Sequence, residues 1–186
     1  MKKGKLIILS GPSGVGKGTI RERLFEESNL NLAYSISMTT RKPRVGEQDG
    51  VDYFFVSEEE FLAKIQEHGL IEWAQFVGNY YGTPKAYVQQ LLNEGKNVLL
   101  EIEVQGATQV KSMVPEALTI FIVPPTIEEL ERRIRGRRTE VEEVVQQRLN
   151  KAKYELTLTN NYSFVVENND LEQTVSEIDA IIRDNV

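Results

Sequence analysis

The sequence predicts an α/β protein: parallel strands covered by helices on both faces, with a smaller mixed lobe set into that core. Three features predict it. Short apolar runs at 5–10, 97–102, 118–123 and 164–166 alternate with helix-like segments, the pattern of a parallel sheet buried on both sides. A glycine-rich stretch, "GPSGVGKGT", joins the first run to the first helix. Residues 37–83 interrupt the alternation with short antiparallel-looking pieces.

Taken in order, 5–10 reads as a buried strand and 17–27 as a helix. The stretch 32–56 is strand-like at both ends, and Pro43, Gly46 and Gly50 break its middle into a loop carrying Arg41, Lys42 and Arg44. Residues 57–69 form a helix opened by Ser57 with Glu60 three residues on, a capping box, and stopped at Gly69. "LIEWAQFVGNYYGT", 70–83, reads as strand, turn, strand. A helix follows over 83–95, with Thr83 as cap, proline at the first position and a terminal glycine. Residues 97–104 are a strand and 106–113 a short helix. Residues 118–125 are a strand ended by two prolines, and 126–134 a helix. After a basic break at 135–140 come a long helix (141–157), a last strand (164–166) and a last helix (170–183).

At 186 residues the chain has room for one domain with a sizeable core. Its net charge of −6 excludes a global basic field of the kind that captures nucleic acid. The absence of cysteine excludes disulfides, thiolate metal sites and a cysteine nucleophile. The one histidine, His68, reads as a polar residue in a helix's last turn rather than a catalytic base. Basic residues near the start are followed by only Leu6–Leu9 before Ser10, too short for a signal peptide or a span. The expectation is a cytoplasmic protein with no nucleic-acid or membrane partner, either a monomer or a homo-oligomer.

Gly11-Pro12-Ser13-Gly14-Val15-Gly16-Lys17 is most of a Walker A motif. Its glycines let successive N–H groups turn inward as an anion nest, the following helix adds its positive end, and Lys17 reaches for β and γ phosphates. Gly18 stands where the motif wants a hydroxyl, and Thr19 follows. Mg²⁺ would then rest on phosphate oxygens and water, and Thr19 on a phosphate. A GTPase would carry Asn-Lys-x-Asp, but Asn150-Lys151 continues Ala152-Lys153. A kinase instead needs a second substrate site and cations for the transferring group.

Arg41 and Arg44 flank Pro43, with Tyr53 nearby: two guanidinium forks and a phenol suit a second phosphate. Alone they could equally be two solvated loop cations. Ser37, Glu72, Tyr81, Thr83 and Glu103 surround them, and carboxylates with hydroxyls match the donor and acceptor edge of guanine. "RRIRGRRT" crowds cations around Gly136 between two helices, which suits either a solvated face or a lid. On the next helix Arg148 falls on the stripe of Val141, Val144, Val145, Leu149 and Ala152. It points inward at an anion or snorkels at the edge.

"SISMTTRKPRVGEQDGVDYFFVS", "IEWAQFVGNYYGTP", "LLEIEVQGA", "RGRRTE" and "NNDLE", with the glycine loop, resemble the guanylate kinase family in family order from residue 6 to about 172. The resemblance implies a single domain over 1–186. Its P-loop kinase core spans 1–36, 84–134 and 148–186, its GMP-binding lobe 37–83 and its small helical lid 135–147. It implies direct, in-line transfer from ATP to GMP or dGMP, with Mg²⁺. By position, Gly11, Pro12, Ser13, Gly14, Val15, Gly16, Lys17, Gly18 and Thr19 would hold ATP, with Asn168 near its adenine. Ser37, Glu72, Thr83 and Glu103 would read guanine; Arg41, Arg44, Tyr53 and Tyr81 would hold the GMP phosphate. Lys17, Arg44, Arg137 and Arg148 would serve the transferring phosphoryl group. Glu103 stands where the family often has Asp, and Arg138 where it usually has Gly. The alternative is a guanylate-kinase-like module that binds phosphopeptides without catalysis.

Overall fold

The computed structural model describes residues 3–76, 78–136 and 141–186 of the chain. A five-stranded sheet is built from β1 (Leu6–Ser10), β2 (Leu32–Tyr34), β7 (Asn97–Glu101), β8 (Leu118–Val123) and β9 (Phe164–Glu167). Its order is β2-β7-β1-β8-β9. β8 pairs in parallel with β1 and with β9. A four-stranded sheet joins β3 (Met38–Thr39), β4 (Phe54–Phe55), β5 (Leu70–Phe76) and β6 (Asn79–Pro84), in the order β4-β3-β6-β5. The helices are α1 (Lys17–Glu27), α2 (Glu58–Gln66), α3 (Lys85–Asn93), α4 (Val104–Met113), α5 (Ile127–Arg135), α6 (Glu142–Leu156) and α7 (Leu171–Asn185). The class is the expected one, a mixed α/β fold around a parallel sheet.

Two compact units emerge. One holds the chain up to Leu6, Ala33–Leu100 and Gln105–Ala117; the other holds Ile7–Leu32, Glu101–Val104 and Leu118–Val186. The second is built on β1 and β8: Ile7, Ile8, Leu9, Ile120, Phe121 and Ile122 are fully buried. Each such side chain contributes roughly 1.5–3 kcal/mol over its exposed state. α1 closes on α7 through Ile20 and Leu24, which are both buried, as are Ile178 and Ile182. In the first unit Met38, Phe61 and Leu70 form a cluster under Phe54, Val56, Ile65 and Tyr80.

Several local expectations need correction. α2 has its capping box: Ser57 Oγ accepts from Glu60 N, and the Glu60 carboxylate accepts from Ser57 N. But the left-handed residue after α2 is His68, at φ 53°, and not Gly69. His68 is exposed beyond the helix rather than within its last turn. α3 is capped by Pro84 without a side-chain bond, because Thr83 belongs to β6 and turns its hydroxyl elsewhere. β7 stops at Glu101 and α4 starts at Val104, so only the front of 97–104 is strand. On α6 the buried face is Val145, Leu149, Ala152 and Glu155, while Val141 and Val144 are exposed.

Candidate functional site

The glycine loop lies wholly in the second unit. β1 delivers the chain buried to Ser10, and α1 begins at Lys17. Gly14 and Gly16 have φ of 86° and 102°, a region that side chains rarely enter. Close packing adds a second reason for glycine. A Cβ at Gly14 would stand 2.9 Å from Ile134 Cγ1, and one at Gly16 2.6 Å from Asn168 Nδ2. Gly16 caps α1 with no side-chain bond, and the first turn has no acidic residue. That leaves the helix start suited to an anion.

Lys17 curls back over the loop, its Nζ donating to Gly11 O at 2.6 Å and Pro12 O at 3.2 Å. Burial pushes its pKa below the ordinary lysine value, against the opposing pull of Glu101, Glu155 and Glu103. An incoming triphosphate would offer that ammonium far better partners than two carbonyls. Arg148 Nη2 donates to Ser13 Oγ at 2.6 Å, so α6 does aim this guanidinium at the loop. Arg21 Nη1 donates to Glu101 Oε2 at 3.0 Å, and Lys151 Nζ to Glu103 Oε2 at 2.7 Å. Glu155, buried on α6, has its carboxyl pushed up by burial. Thr19 is exposed, and Arg137 lies outside the described residues. Asn168, expected beside a base, is buried, its Nδ2 donating to Val15 O at 2.8 Å.

The first unit gathers the other set. β5 pairs with β6 through a register shift between Leu70 and Glu72. Such a bulge re-aims side chains, and Leu70, Ile71 and Glu72 are buried in succession instead of alternating. Glu72, only 7% exposed, thereby faces Thr83 directly across the pair. Thr83 Oγ1 donates to Glu72 Oε1 at 2.5 Å. Gly106 of α4 makes room on the other side, for a Cβ there would stand 2.8 Å from Glu72 Oε2. Ser37 is half-buried where β3 begins, its carbonyl accepting from Phe54 N.

Arg41 leans over the Tyr53 and Phe55 rings, 5.3 and 5.8 Å from their centroids. The Tyr81 ring meets Tyr53 edge-on at 6.2 Å. Glu47 grips Arg41 with two bonds of 2.9 Å and also accepts from Arg44 N at 2.7 Å. Arg41 thereby holds the Glu47 carboxyl below the usual range. Arg44 itself is exposed on the loop. Ser37, Arg41, Arg44, Tyr53, Glu72, Tyr81 and Thr83 thus share one unit, whereas Glu103 belongs to the other.

Sequence reasoning missed Glu47, Gly106 and Glu155, and read Arg133 only as one of the cations crowded around Gly136. A signal existed for two of them. Glu47 follows Arg44 by three residues in a glycine turn, and Glu155 continues the spacing of Val145, Leu149 and Ala152.

Comparison with known proteins points to one family. The guanylate kinase family model matches residues 3–185. A guanylate kinase of Bacillus anthracis is 56% identical over 181 residues, covering 97% of this chain and 88% of its own. One from Bacillus subtilis (strain 168) is 51% identical, with coverage of 97% and 89%. The crystal structure of guanylate kinase from Anaplasma phagocytophilum superposes with a TM-score of 0.76 at 36% identity, covering 98% and 86%. The chain belongs to the guanylate kinase family.

Proposed function

We propose that this enzyme transfers the γ-phosphoryl group of ATP to GMP, and to dGMP, giving ADP and the guanosine diphosphate. The observation that carries the base choice is the buried Glu72–Thr83 pair. A carboxylate has about four acceptor sites, so Glu72 can take guanine N1–H and N2–H while it accepts from Thr83. The purine O6 then falls to the Ser37 hydroxyl, because the one Thr83 proton is already given to Glu72. Adenine has no N1–H and would leave a desolvated carboxylate poorly paired, which is expensive.

The GMP phosphate is read by Arg41, with Tyr53, Tyr81 and Arg44. Its oxygen is already an anionic nucleophile, so no general base is needed. Catalysis is alignment plus neutralisation of charge on a loose transition state. Lys17 moves from the Gly11 and Pro12 carbonyls to the β and γ phosphates. Arg44, Arg137 and Arg148 meet the equatorial oxygens, and the nest from Gly11 to Thr19 holds the leaving diphosphate. Residues 37–83 act as the GMP lobe and 135–147 as the lid within one domain.

For Mg²⁺ the donor set supports an ion carried mainly by phosphate and water. Among the described residues no group of three or more acidic or histidine side chains could cage it. Glycine replaces the usual hydroxyl at 18, where a Cβ would stand 3.9 Å from Glu101 Oε1. Glu101 is therefore the side chain that would orient the ion's waters. Bound there, the ion supplies charge neutralisation on the β and γ phosphates.

Among the described residues no helix is long and apolar enough to cross a membrane. We place the reaction in the cytoplasm, with ATP and GMP as its partners. A coupled assay of ADP release with GMP, AMP, CMP and UMP tests the function. Turnover with GMP alone is expected. No turnover with any of the four would favour a phosphopeptide-binding module, and preference for another base would overturn the Glu72 assignment.

A further inference from the structure

The carbonyl of Val15, in the middle of the glycine loop, is a meeting point for two side chains. Asn168 Nδ2 donates to it at 2.8 Å and Arg133 Nη1 at 3.4 Å. The two are tied to each other, since Arg133 Nη2 donates to Asn168 O at 3.1 Å. Each is held from behind. Arg133 Nε donates to Glu129 Oε1 at 2.8 Å, one turn back on α5. Asn168 N donates to Val123 O at the end of β8, and Asn168 Oδ1 lies 3.2 Å from the hydroxyl of Thr174 on α7. Asn168 and Thr174 are 8% and 1% exposed, so the Asn168 side of this support is buried, while Arg133 and Glu129 are partly exposed.

A trans peptide is planar, and its C=O and N–H point in opposite directions. Whatever pins the Val15 carbonyl therefore aims the Gly16 N–H the other way. Gly16 is the left-handed cap of α1, and its N–H is one of the donors such a nest would use. The contact is close enough that no side chain fits at Gly16 against Asn168 Nδ2.

We infer that Asn168 and Arg133 are positioning residues for the phosphate nest: they lock the Val15–Gly16 peptide with its N–H turned toward the triphosphate. Asn168 acts on the phosphates through the loop backbone. Arg133 is a buttress of the loop rather than one more lid cation. This rests on the proposed use of the loop for ATP, but not on which acceptor is phosphorylated.

Inorganic tripolyphosphate, which has neither base nor sugar, separates the roles. Calorimetry would measure binding of ATP and of tripolyphosphate to wild type, Asn168→Ala and Arg133→Lys, beside the melting temperature and the GMP KM. Asn168→Ala should weaken both ligands by the same factor, about tenfold, the scale of one buried hydrogen bond to a loop that must stay ordered. GMP KM should stay within about twofold. Arg133→Lys keeps the charge but loses the fork, and should weaken both ligands equally and less. A loss confined to ATP would overturn the inference in favour of a base contact. Unchanged tripolyphosphate binding in a folded variant, with only a lower melting temperature, would overturn it in favour of a purely structural role. Should Asn168→Ala not fold, Arg133→Lys decides by the same criteria. Wild type that binds tripolyphosphate tightly yet phosphorylates no nucleotide would sink the kinase reading and leave this one standing.

Discussion

The two proposed anion sites are built in opposite ways. The glycine loop offers main-chain donors, frozen by left-handed glycines and braced from beneath by Asn168 and Arg133. The Arg41 site offers long side chains on an open loop, tethered by Glu47 until a ligand arrives. A backbone nest cannot be edited one donor at a time, and suits a phosphate chain shared by every reaction cycle. Side-chain donors lose rotamer entropy on binding, but they can discriminate. With the proposed assignment, rigidity falls where recognition is generic and adjustable chemistry where it must be specific.

The strongest way to break this contrast is at Lys17, a long side chain of the generic site that must change partners. Lys17→Met should fold normally and lose at least about 10²–10³-fold in kcat, the scale for one transition-state donor. Near-normal turnover would remove the loop from the reaction. Next is the specific site. Glu72→Gln keeps the shape but presents one acceptor oxygen where two donors arrive. Its kcat/KM for GMP should fall by roughly 2–4 kcal/mol, with ATP KM unmoved and AMP affected less. An unchanged GMP-to-AMP ratio would hand the role to Glu103 with Ser37.

Those residues also mark how far the chain could be read unaided. Periodicity and caps carried the fold, because the apolar runs of β1 and β8 and the Ser57–Glu60 box are local signals. The loop from Gly11 to Lys17 was legible for the same reason. Where a residue's part depends on a partner distant in sequence, local pattern misleads. Thr83 has the chemistry of a cap but is taken by Glu72 across a bulge. Asn168 is placed near a base by the resemblance alone, and its bond to Val15 O, 153 residues away, has no local signal. His68 adopts the backbone that Gly69 advertised. Glu155 was hidden because a carboxylate on an apolar stripe is explained only by the cations and acids packed around it.

A finer test concerns pre-organisation. Glu47→Gln should loosen Arg41 and raise GMP KM about 2–10-fold, the entropy of one long side chain, with kcat at saturation and ATP KM little changed. A lower GMP KM would instead make Glu47 a competitor that the substrate must displace.

The smallest effect is expected at Glu155, and it is read as stability. Burial holds its folded pKa above the ordinary 4.5, outweighing Lys151 and Lys17, while Glu103 adds to the rise. The native state thus binds the extra proton, and the contribution of Glu155 to stability falls as pH rises from 4.5 through the folded value. Glu155→Gln should therefore gain more unfolding free energy over wild type at pH 8 than at pH 5, by at most about 1 kcal/mol, measured by denaturant unfolding. Equal gains at both pH values would show that its charge is already compensated.

Gly106 turns the contrast between rigid and selective parts into a conflict between two kinds of selection. Alanine there would favour α4 by up to about 1 kcal/mol, yet its methyl would press on Glu72 Oε2, Cδ and Cγ at 2.8, 3.4 and 3.6 Å. A screen for heat resistance would enrich Gly106→Ala, and a screen for growth on limiting GMP would discard it. The variant should melt no lower than wild type, bind ATP as before and lose kcat/KM for GMP. A lineage released from the need for guanylate turnover could cross that position in a single step, keeping the fold while retiring the chemistry.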